Sequence, residues 1–262
     1  MAQEQTPLHW PEYLIEASAL ALFMVSACVF GTLLFHPASV VYQTLDSTLS
    51  RNAIMGVIMG LTAIALIYSP WGKRSGAHMN PAFTFTFTRL GKVAPRDAAF
   101  YIVAQFIGGV SGVLVSRLLV GMALGDPAVR YVVTQPGPAG VSVALGAEFA
   151  IAFVLMTVVL TVQSSARWSR YTGLCAGVLV ALYITFESPL SGMSLNPARS
   201  VGSAVVAWSW TAMWIYFVAP LGGMLLAARV HVWRRRVVPC AKYAHATPCI
   251  FCEYAARKAN GA

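Results

Sequence analysis

Long apolar runs separated by short polar segments dominate the chain. Residues 52–69, for example, carry no charged side chain over 18 positions, close to the ~20 residues that span a bilayer core. Because lipid offers no hydrogen-bond partner to an exposed backbone, we interpret every such run as a helix. The six long runs lie at residues 13–35, 52–69, 98–116, 145–165, 172–186 and 209–228.

Two shorter apolar stretches, 81–88 and 197–207, each follow an Asn-Pro-Ala triplet. At about 1.5 Å per residue, helices of this length reach roughly half way through a core of about 30 Å. The chain therefore repeats one order twice, span, span, half-span, span, with Glu16 opening the first copy and Glu148 the second. Three spans per copy force the second copy to enter the membrane upside down, which predicts an inverted repeat with its functional site at the midplane.

Composition and charge support a membrane location. Only 10% of the residues are charged, against about 25% in soluble domains. Basic residues concentrate after the second, fourth and sixth spans, so the positive-inside rule predicts that both termini are cytoplasmic. We attribute the net charge of +9 to this topology and to anionic lipid, not to nucleic acid. The first residues contain two glutamates and no basic residue, unlike a cleaved signal peptide, so the first span is expected to remain.

The triplets themselves carry chemistry. Asparagine is a strong N-cap, and proline at the first helical position sacrifices no hydrogen bond. A helix that starts in mid-membrane presents unpaired N–H groups and a positive end of roughly half an elementary charge, which attracts an oxygen lone pair and repels a cation. The small alanine that follows keeps the approach narrow. The predicted pore signature is Asn80, Pro81, Ala82, Asn196, Pro197 and Ala198.

The phrases SGAHMNPAFTFTF and SGMSLNPARSVGSA resemble the signature loops of the aquaporin, or major intrinsic protein, family, and the resemblance covers residues 12–235. It implies an aquaporin-like, all-α membrane protein of six transmembrane helices and two half-helices, a homotetramer with one pore per subunit and no cofactor for transport. The expected divisions are a cytoplasmic N-terminal segment (1–11), a channel domain (12–235, with inverted halves at about 12–120 and 141–235) and a cytoplasmic tail (236–262).

The resemblance also implies roles for single residues. The side-chain amides of Asn80 and Asn196 would donate to a passing water oxygen, and Glu16 and Glu148 would brace the loops. His78 is expected to be a structural hydrogen-bonding residue, with a gating role as the alternative. The loop residues whose carbonyls would line the path are Gly76, Ala77, His78, Gly192, Met193 and Ser194.

Arg199 is the charge that distinguishes the second triplet from the first, where Phe83 takes its place. The resemblance places this arginine at the family's narrowest constriction, where a fixed guanidinium would offer donors to a neutral solute and repel cations, hydronium included. The alternative is an arginine that pairs with Glu187 in the outer loop. Counted against the family pattern, the other filter positions fall on Ile184, Met193 and Met59, or Gly60 if one loop insertion is placed differently. The resemblance therefore implies a selectivity filter of Met59, Ile184, Met193 and Arg199.

Two features disagree about the solute. Ser200, Ala204 and the pair Tyr216-Phe217 resemble water channels. The filter lacks the histidine of many water-specific members and is lined by flexible thioethers, which resembles more permissive channels. We therefore expect passive water permeation in the cell inner membrane. The alternative is a broader channel for glycerol, hydrogen peroxide, ammonia or a metalloid hydroxide.

Other classes find less support. The chain contains no GxSxG, HExxH or phosphate-loop motif, so no enzyme is expected. An ion-coupled transporter built on inverted repeats would need charged coupling sites at the midplane, where this sequence offers asparagine and alanine.

The tail contains CAKYAHATPCIFC, which the family pattern does not include. Its Cys240, His245, Cys249 and Cys252 supply the ligand inventory of a closed Cys3His zinc site, and a reducing cytoplasm disfavours disulfides there. We expect a structural zinc site, with redox-sensing thiols or lipidation as alternatives. Cys28 and Cys175 lie inside spans and are interpreted as small packing residues.

Overall fold

The structure is a computed structural model that describes residues 8–244 and 249–259. Within those ranges the chain forms helices, turns and loops, with no β-strand. Six helices are long and apolar enough to cross a membrane, α1, α3, α6, α7, α8 and α11. The helices are α1 (Trp10–Phe35), α2 (Val40–Thr44), α3 (Thr48–Tyr68), α4 (Pro70–Ser75), α5 (Pro81–Arg89), α6 (Pro95–Val120), α7 (Val141–Gln163), α8 (Thr172–Phe186), α9 (Ser188–Ser191), α10 (Pro197–Ala207), α11 (Ile215–Trp233) and α12 (Ile250–Ala259).

The predicted all-α fold with an inverted repeat is confirmed, with one boundary corrected. The sixth span was placed at residues 209–228, whereas α11 occupies Ile215–Trp233. The aromatic segment before it is apolar enough to extend a hydropathy run, but the chain leaves the helix at Trp208, which adopts a left-handed conformation (φ 51°) and ends α10. Residues 209–214 form the turn between the two helices.

The two half-helices begin where their caps dictate. The Oδ1 atom of Asn80 accepts from the backbone N–H of Ala82 at 2.9 Å, and that of Asn196 accepts from Ala198 at 3.0 Å. Each asparagine is extended and is followed by a proline at the first helical position. These contacts satisfy one of the unpaired donors at each helix start, so both half-helices begin at the triplet.

Glycines let helices α3 and α8, one from each half, approach closely. A Cβ placed on Gly60 would lie 2.6 Å from the carbonyl oxygen of Gly177, and one on Gly177 would lie 2.7 Å from the carbonyl oxygen of Gly60. A Cβ on Gly56 of α3 would likewise be too close to the carbonyl oxygen of Ala181. Since no real side chain tolerates such distances, α3 and α8 pack backbone to backbone.

The start of α1 and the end of α11 lie on the same side of the bundle, because the chain crosses it six times. We call this side the terminal face, together with the α3–α5, α5–α6 and α7–α8 connections, and the other side the opposite face. Half-helix α5 enters from the terminal face and α10 from the opposite face, so their N-terminal ends meet inside the bundle.

Candidate functional site

The two triplets contact each other at the centre of the bundle. The amide nitrogen of Asn80 donates to the carbonyl oxygen of Leu195 at 2.8 Å, and that of Asn196 donates to the carbonyl oxygen of Met79 at 2.6 Å. Each side-chain amide carries two hydrogens, so one N–H of each asparagine remains for another acceptor. Two electropositive helix ends therefore flank one point with two oriented donors.

Glu16 holds the loop that precedes the first triplet. Its carboxylate is fully buried and accepts four hydrogen bonds. They come from the Ser75 hydroxyl at 2.8 Å, the backbone N–H groups of His78 and Met79 at 3.0 and 2.6 Å, and the Gln105 amide at 2.8 Å. A buried carboxylate is tolerable when donors replace its water, and here those donors fix the loop.

Glu148 repeats the arrangement in the second half. It is also fully buried and accepts from the Ser191 hydroxyl at 2.7 Å and from the backbone N–H groups of Ser194 and Leu195 at 2.6 and 2.8 Å. The two loops thus share one hydrogen-bond scheme, related by the inverted repeat.

The loops carry unusual backbone conformations. Ala77 and Met79 in the first loop have φ values of 55° and 50°, and Met193 and Leu195 in the second have values of 48° and 59°. Non-glycine residues in the left-handed region cost on the order of 1–3 kcal/mol each. The carboxylate contacts compensate, and the conformation frees the carbonyls of Met79 and Leu195 for the two asparagine amides.

A cavity of about 410 Å³ is lined in part by Asn80 and Asn196. All four predicted filter residues line it, as do His78, Gly192 and Ser194 of the predicted carbonyl path. Gly76 and Ala77 are not among its lining residues, because Ala77 is fully buried and Gly76 lies against Ala241 and Phe251 of the tail. Most of the remaining lining is apolar, from Leu20, Phe23, Ala27, Met55, Ala63, Ile67, Val129, Val132, Leu155, Ala176 and Val180.

Arg199 is fixed by a carbonyl on the opposite face. Its Nη1 atom donates to the carbonyl oxygen of Val132 at 2.8 Å. No ion pair with Glu187 occurs within the described parts of the chain, so the outer-loop pairing alternative is not what the geometry favours. No sequence motif marks Val132, whose φ of 49° turns its carbonyl toward the arginine.

Tyr243 of the tail was also missed. It lies 7% exposed at the terminal-face end of the cavity and stacks on Phe83 with ring centroids 4.6 Å apart. A second cavity of about 580 Å³ lies on the terminal face, and Tyr243 is the residue that lines both cavities in the described part of the chain. The Tyr243 side chain therefore stands between the inner cavity and the terminal face.

His78 connects the first triplet loop to the tail. Its Nε2 atom lies 2.6 Å from the carbonyl oxygen of Ala241, and a carbonyl only accepts, so Nε2 carries the hydrogen. Its Nδ1 atom contacts the Thr84 hydroxyl at 3.1 Å. The ring stacks on Phe251 at 5.2 Å. The histidine is a hydrogen-bonding residue, and one of its partners belongs to the tail.

Three of the four predicted metal ligands lie together. The sulfur atoms are separated by 3.6 Å (Cys240 to Cys249), 3.7 Å (Cys249 to Cys252) and 3.8 Å (Cys252 to Cys240), too far for disulfides. The hydrogen bond with Cys240 lowers the pKa of the Cys249 thiol, and the nearby Lys242 ammonium adds to that shift. The fourth predicted ligand, His245, lies outside the described residues.

Comparison with known proteins places this geometry in a family. Two curated relatives are "Aquaporin NIP1-2" of Oryza sativa subsp. japonica, 35% identical over 73% of this chain, and "Aquaporin NIP1-2" of Arabidopsis thaliana, 33% identical over 86% of this chain and 78% of its own length. The match spans 63% of the length of the rice protein. In fold, the chain resembles the aquaglyceroporin from Plasmodium falciparum, with a TM-score of 0.71 at 20% identity over 86% of this chain and 96% of that one.

A family-wide sequence profile gives the most extensive match. Residues 5–231 match the profile described as Major intrinsic protein, a range that includes both triplets, both bracing glutamates, the first five spans and the sixth up to His231. The chain belongs to the major intrinsic protein family.

Proposed function

We propose that the protein is a passive transmembrane channel for water that excludes protons and ions. The observation that carries this proposal is the meeting of Asn80 and Asn196 beside one cavity, each with an N–H left for a solute oxygen. Two helix ends of roughly +0.5 charge each and the Arg199 guanidinium act together there. A neutral molecule that can accept a hydrogen bond passes this field more easily than a cation does.

The residues of the predicted filter are compatible with water as the solute and also with a broader range of neutral solutes. Arg199 and the neighbouring carbonyls offer polar contacts, while Met59, Ile184 and Met193 offer an apolar wall. Such a wall favours a broader neutral solute such as glycerol, hydrogen peroxide, ammonia or a metalloid hydroxide, because unbranched thioethers adapt to different shapes.

An ion-coupled transporter would need charged coupling residues at the midplane. There the side-chain amides of Asn80 and Asn196 contact backbone carbonyl oxygens instead. Solute flux that saturates and depends on sodium, protons or voltage would favour an ion-coupled transporter over a channel. No catalytic role is proposed, and transport itself requires no cofactor.

The assembly and orientation follow from the surface. Large apolar side chains such as Leu118, Leu119 and Val218 are exposed on the outside of the helices and suit contact with lipid or with neighbouring subunits of a homotetramer. The basic loops lie on the terminal face, so we infer that this face is cytoplasmic in the cell inner membrane. The residues that carry this inference are Lys73, Arg74, Arg89, Lys92, Arg96, Arg167, Arg170, Arg234, Arg235 and Arg236.

Stopped-flow light scattering on proteoliposomes tests the proposal. Under a sucrose gradient, vesicles with the protein should shrink faster than protein-free vesicles. Under a glycerol gradient they should shrink without re-swelling if water is the solute, and re-swell if the broader candidate is correct. Shrinkage at the protein-free rate in both the wild type and Tyr243→Ala would contradict water permeation.

A further inference from the structure

The tail closes the terminal-face end of the cavity through contacts with both halves of the bundle. From the first half, the carbonyl oxygen of Lys73 accepts from the Lys242 ammonium at 2.6 Å, and His78 donates to Ala241. From the second half, the Gln163 amide donates to the carbonyl oxygen of Cys240 at 3.1 Å. These contacts span the mouth of the cavity, and Tyr243 lies between them.

Helix α12 adds an apolar contact to this closure. Phe251 is 2% exposed and packs on the rings of His78 and Tyr101, with centroids 5.2 and 5.9 Å away. A Cβ on Gly76 would lie 3.0 Å from both the Ala241 carbonyl oxygen and the Phe251 ring. The triplet loop and the tail are therefore in tight contact, as is usual inside a protein core.

The three cysteines join the two pieces of the tail that make these contacts. Cys240 precedes Ala241 and Tyr243, and Cys249 and Cys252 flank Phe251. In a tetrahedral site with metal–sulfur distances of about 2.3 Å, the sulfur atoms lie about 3.8 Å apart. The observed separations of 3.6, 3.7 and 3.8 Å match the face of such a tetrahedron.

We propose that Cys240, Cys249 and Cys252 bind one thiophilic divalent cation such as Zn²⁺, and that the bound ion holds the tail in place so that Tyr243 closes the pore. Without the ion, three thiols in contact supply only weak hydrogen bonds, so the two pieces of the tail are no longer joined and the remaining contacts hold the tail less firmly at the mouth. The channel then conducts when the site is empty. The gating half of the proposal rests on the proposed channel function, whereas metal binding stands on its own.

The first experiment measures metal content in the purified full-length protein, without transport. The variants are Cys249→Ser/Cys252→Ser and the matched control Cys175→Ser, a cysteine on α8 that does not belong to the cluster. After equilibration with Zn²⁺ and removal of excess ion, the wild type and the control should retain about one zinc per chain, and the double variant should lose it. Equal zinc in the wild type and the double variant overturns the proposal.

The second experiment measures closure. Proteoliposomes are loaded with Zn²⁺ or with a membrane-permeant zinc chelator on both sides. Chelation should raise the water permeability of the wild type several-fold. The double cysteine variant should be permeable in both conditions, as should Tyr243→Ala, which retains its zinc. Tyr243→Phe keeps the ring and should behave like the wild type. Wild-type permeability that ignores the chelator overturns the gating.

Hydrogen–deuterium exchange separates the two proposals if no variant passes water. That result contradicts water permeation, while the tail is still judged by its backbone protection. Residues 237–244 should be protected in zinc-bound wild type and exchange faster after chelation or in the double cysteine variant. Protection that does not change with zinc overturns the metal-held closure, whichever solute the channel carries.

Discussion

Asn80 and Asn196 are bound to each other's loops: each side-chain amide donates to the carbonyl of the residue that precedes the other asparagine. Because Oδ1 of each side chain caps its own half-helix, neither amide can rotate without breaking two hydrogen bonds. The donors that face the cavity are therefore fixed before a solute arrives, which is the preorganisation that selective passage requires.

Replacing one amide with a carboxylate should destroy this arrangement. Asn80→Asp keeps an oxygen for the cap but places a negative charge against the Leu195 carbonyl, where Asn80 donates at 2.8 Å. We expect water permeability in proteoliposomes to fall several-fold and thermal stability to fall by about 1–3 kcal/mol, the cost of one unpaired buried group.

The inverted repeat provides an equivalent substitution that tests the same prediction in the second half of the chain. Asn196→Asp meets the Met79 carbonyl in the same way, so it should reduce both quantities to a similar extent. If either aspartate variant conducts water like the wild type, the two amides do not shape the path.

Replacing a carboxylate that braces a triplet loop should reduce the stability of the protein more than replacing a triplet asparagine does. In Glu148→Gln one oxygen becomes an NH2 group that faces donors from Ser191, Ser194 or Leu195. At least one buried donor loses its acceptor and faces an N–H instead, so we expect a loss of roughly 2–5 kcal/mol. The midpoint of thermal unfolding in detergent measures it. A variant as stable as the wild type would show that water replaces the brace.

Sequence reasoning reached the parts of the molecule that follow from local chemistry. The spans follow from lipid as solvent, the half-helix starts from the N-cap and proline at Asn80 and Asn196, and the inverted repeat from the odd number of spans. The start of α11 was misplaced because hydropathy does not register the left-handed turn at Trp208. Tyr243 and Val132 were missed because each reaches the cavity only through long-range packing, which no periodicity encodes.

Glu187 predicts a pH dependence of stability. Desolvation, aided by the nearby Glu148 charge and only partly opposed by the Ser191 side chain, raises the pKa of Glu187 from 4.5 to about 7. The folded state then holds a proton that the unfolded state has released, so stability falls as pH rises from about 4.5 to 7 and is flat above.

Glu187→Gln isolates that effect. The neutral amide cannot titrate, so the variant should match the wild type near pH 4 and exceed its stability at pH 8 by on the order of 3 kcal/mol. Thermal unfolding in detergent across this pH range measures the difference. A constant difference between the two proteins at every pH would mean that Glu187 is not the titrating group.

The filter arginine should control selectivity. Arg199→Ala removes the guanidinium that donates to Val132 and widens the path. We expect faster glycerol entry and a measurable cation leak with water flux retained, because a barrier to charge has been removed. Arg130→Ala is the matched control, since Arg130 is exposed and contacts Gln135 on the same face of the protein. Both variants lose one positive charge, so an equal leak in the two would assign it to surface charge.

The close contact between α3 and α8 should make Gly60 sensitive to substitution. Gly60→Ala places a methyl group 2.6 Å from the Gly177 carbonyl, and neither backbone can retreat without separating α3 from α8. We expect a loss of about 1–3 kcal/mol from overpacking. Gly146→Ala on α7 is the control, because nothing lies within 4 Å of its Cβ position and alanine favours a helix over glycine by about 1 kcal/mol. The two substitutions add the same methyl group to a crowded and to an open position. The midpoint of thermal unfolding should therefore fall in Gly60→Ala and rise in Gly146→Ala. Since Met59 of the filter is adjacent to Gly60 on α3, the displaced helix should also lower water permeability in Gly60→Ala, while Gly146→Ala should conduct normally.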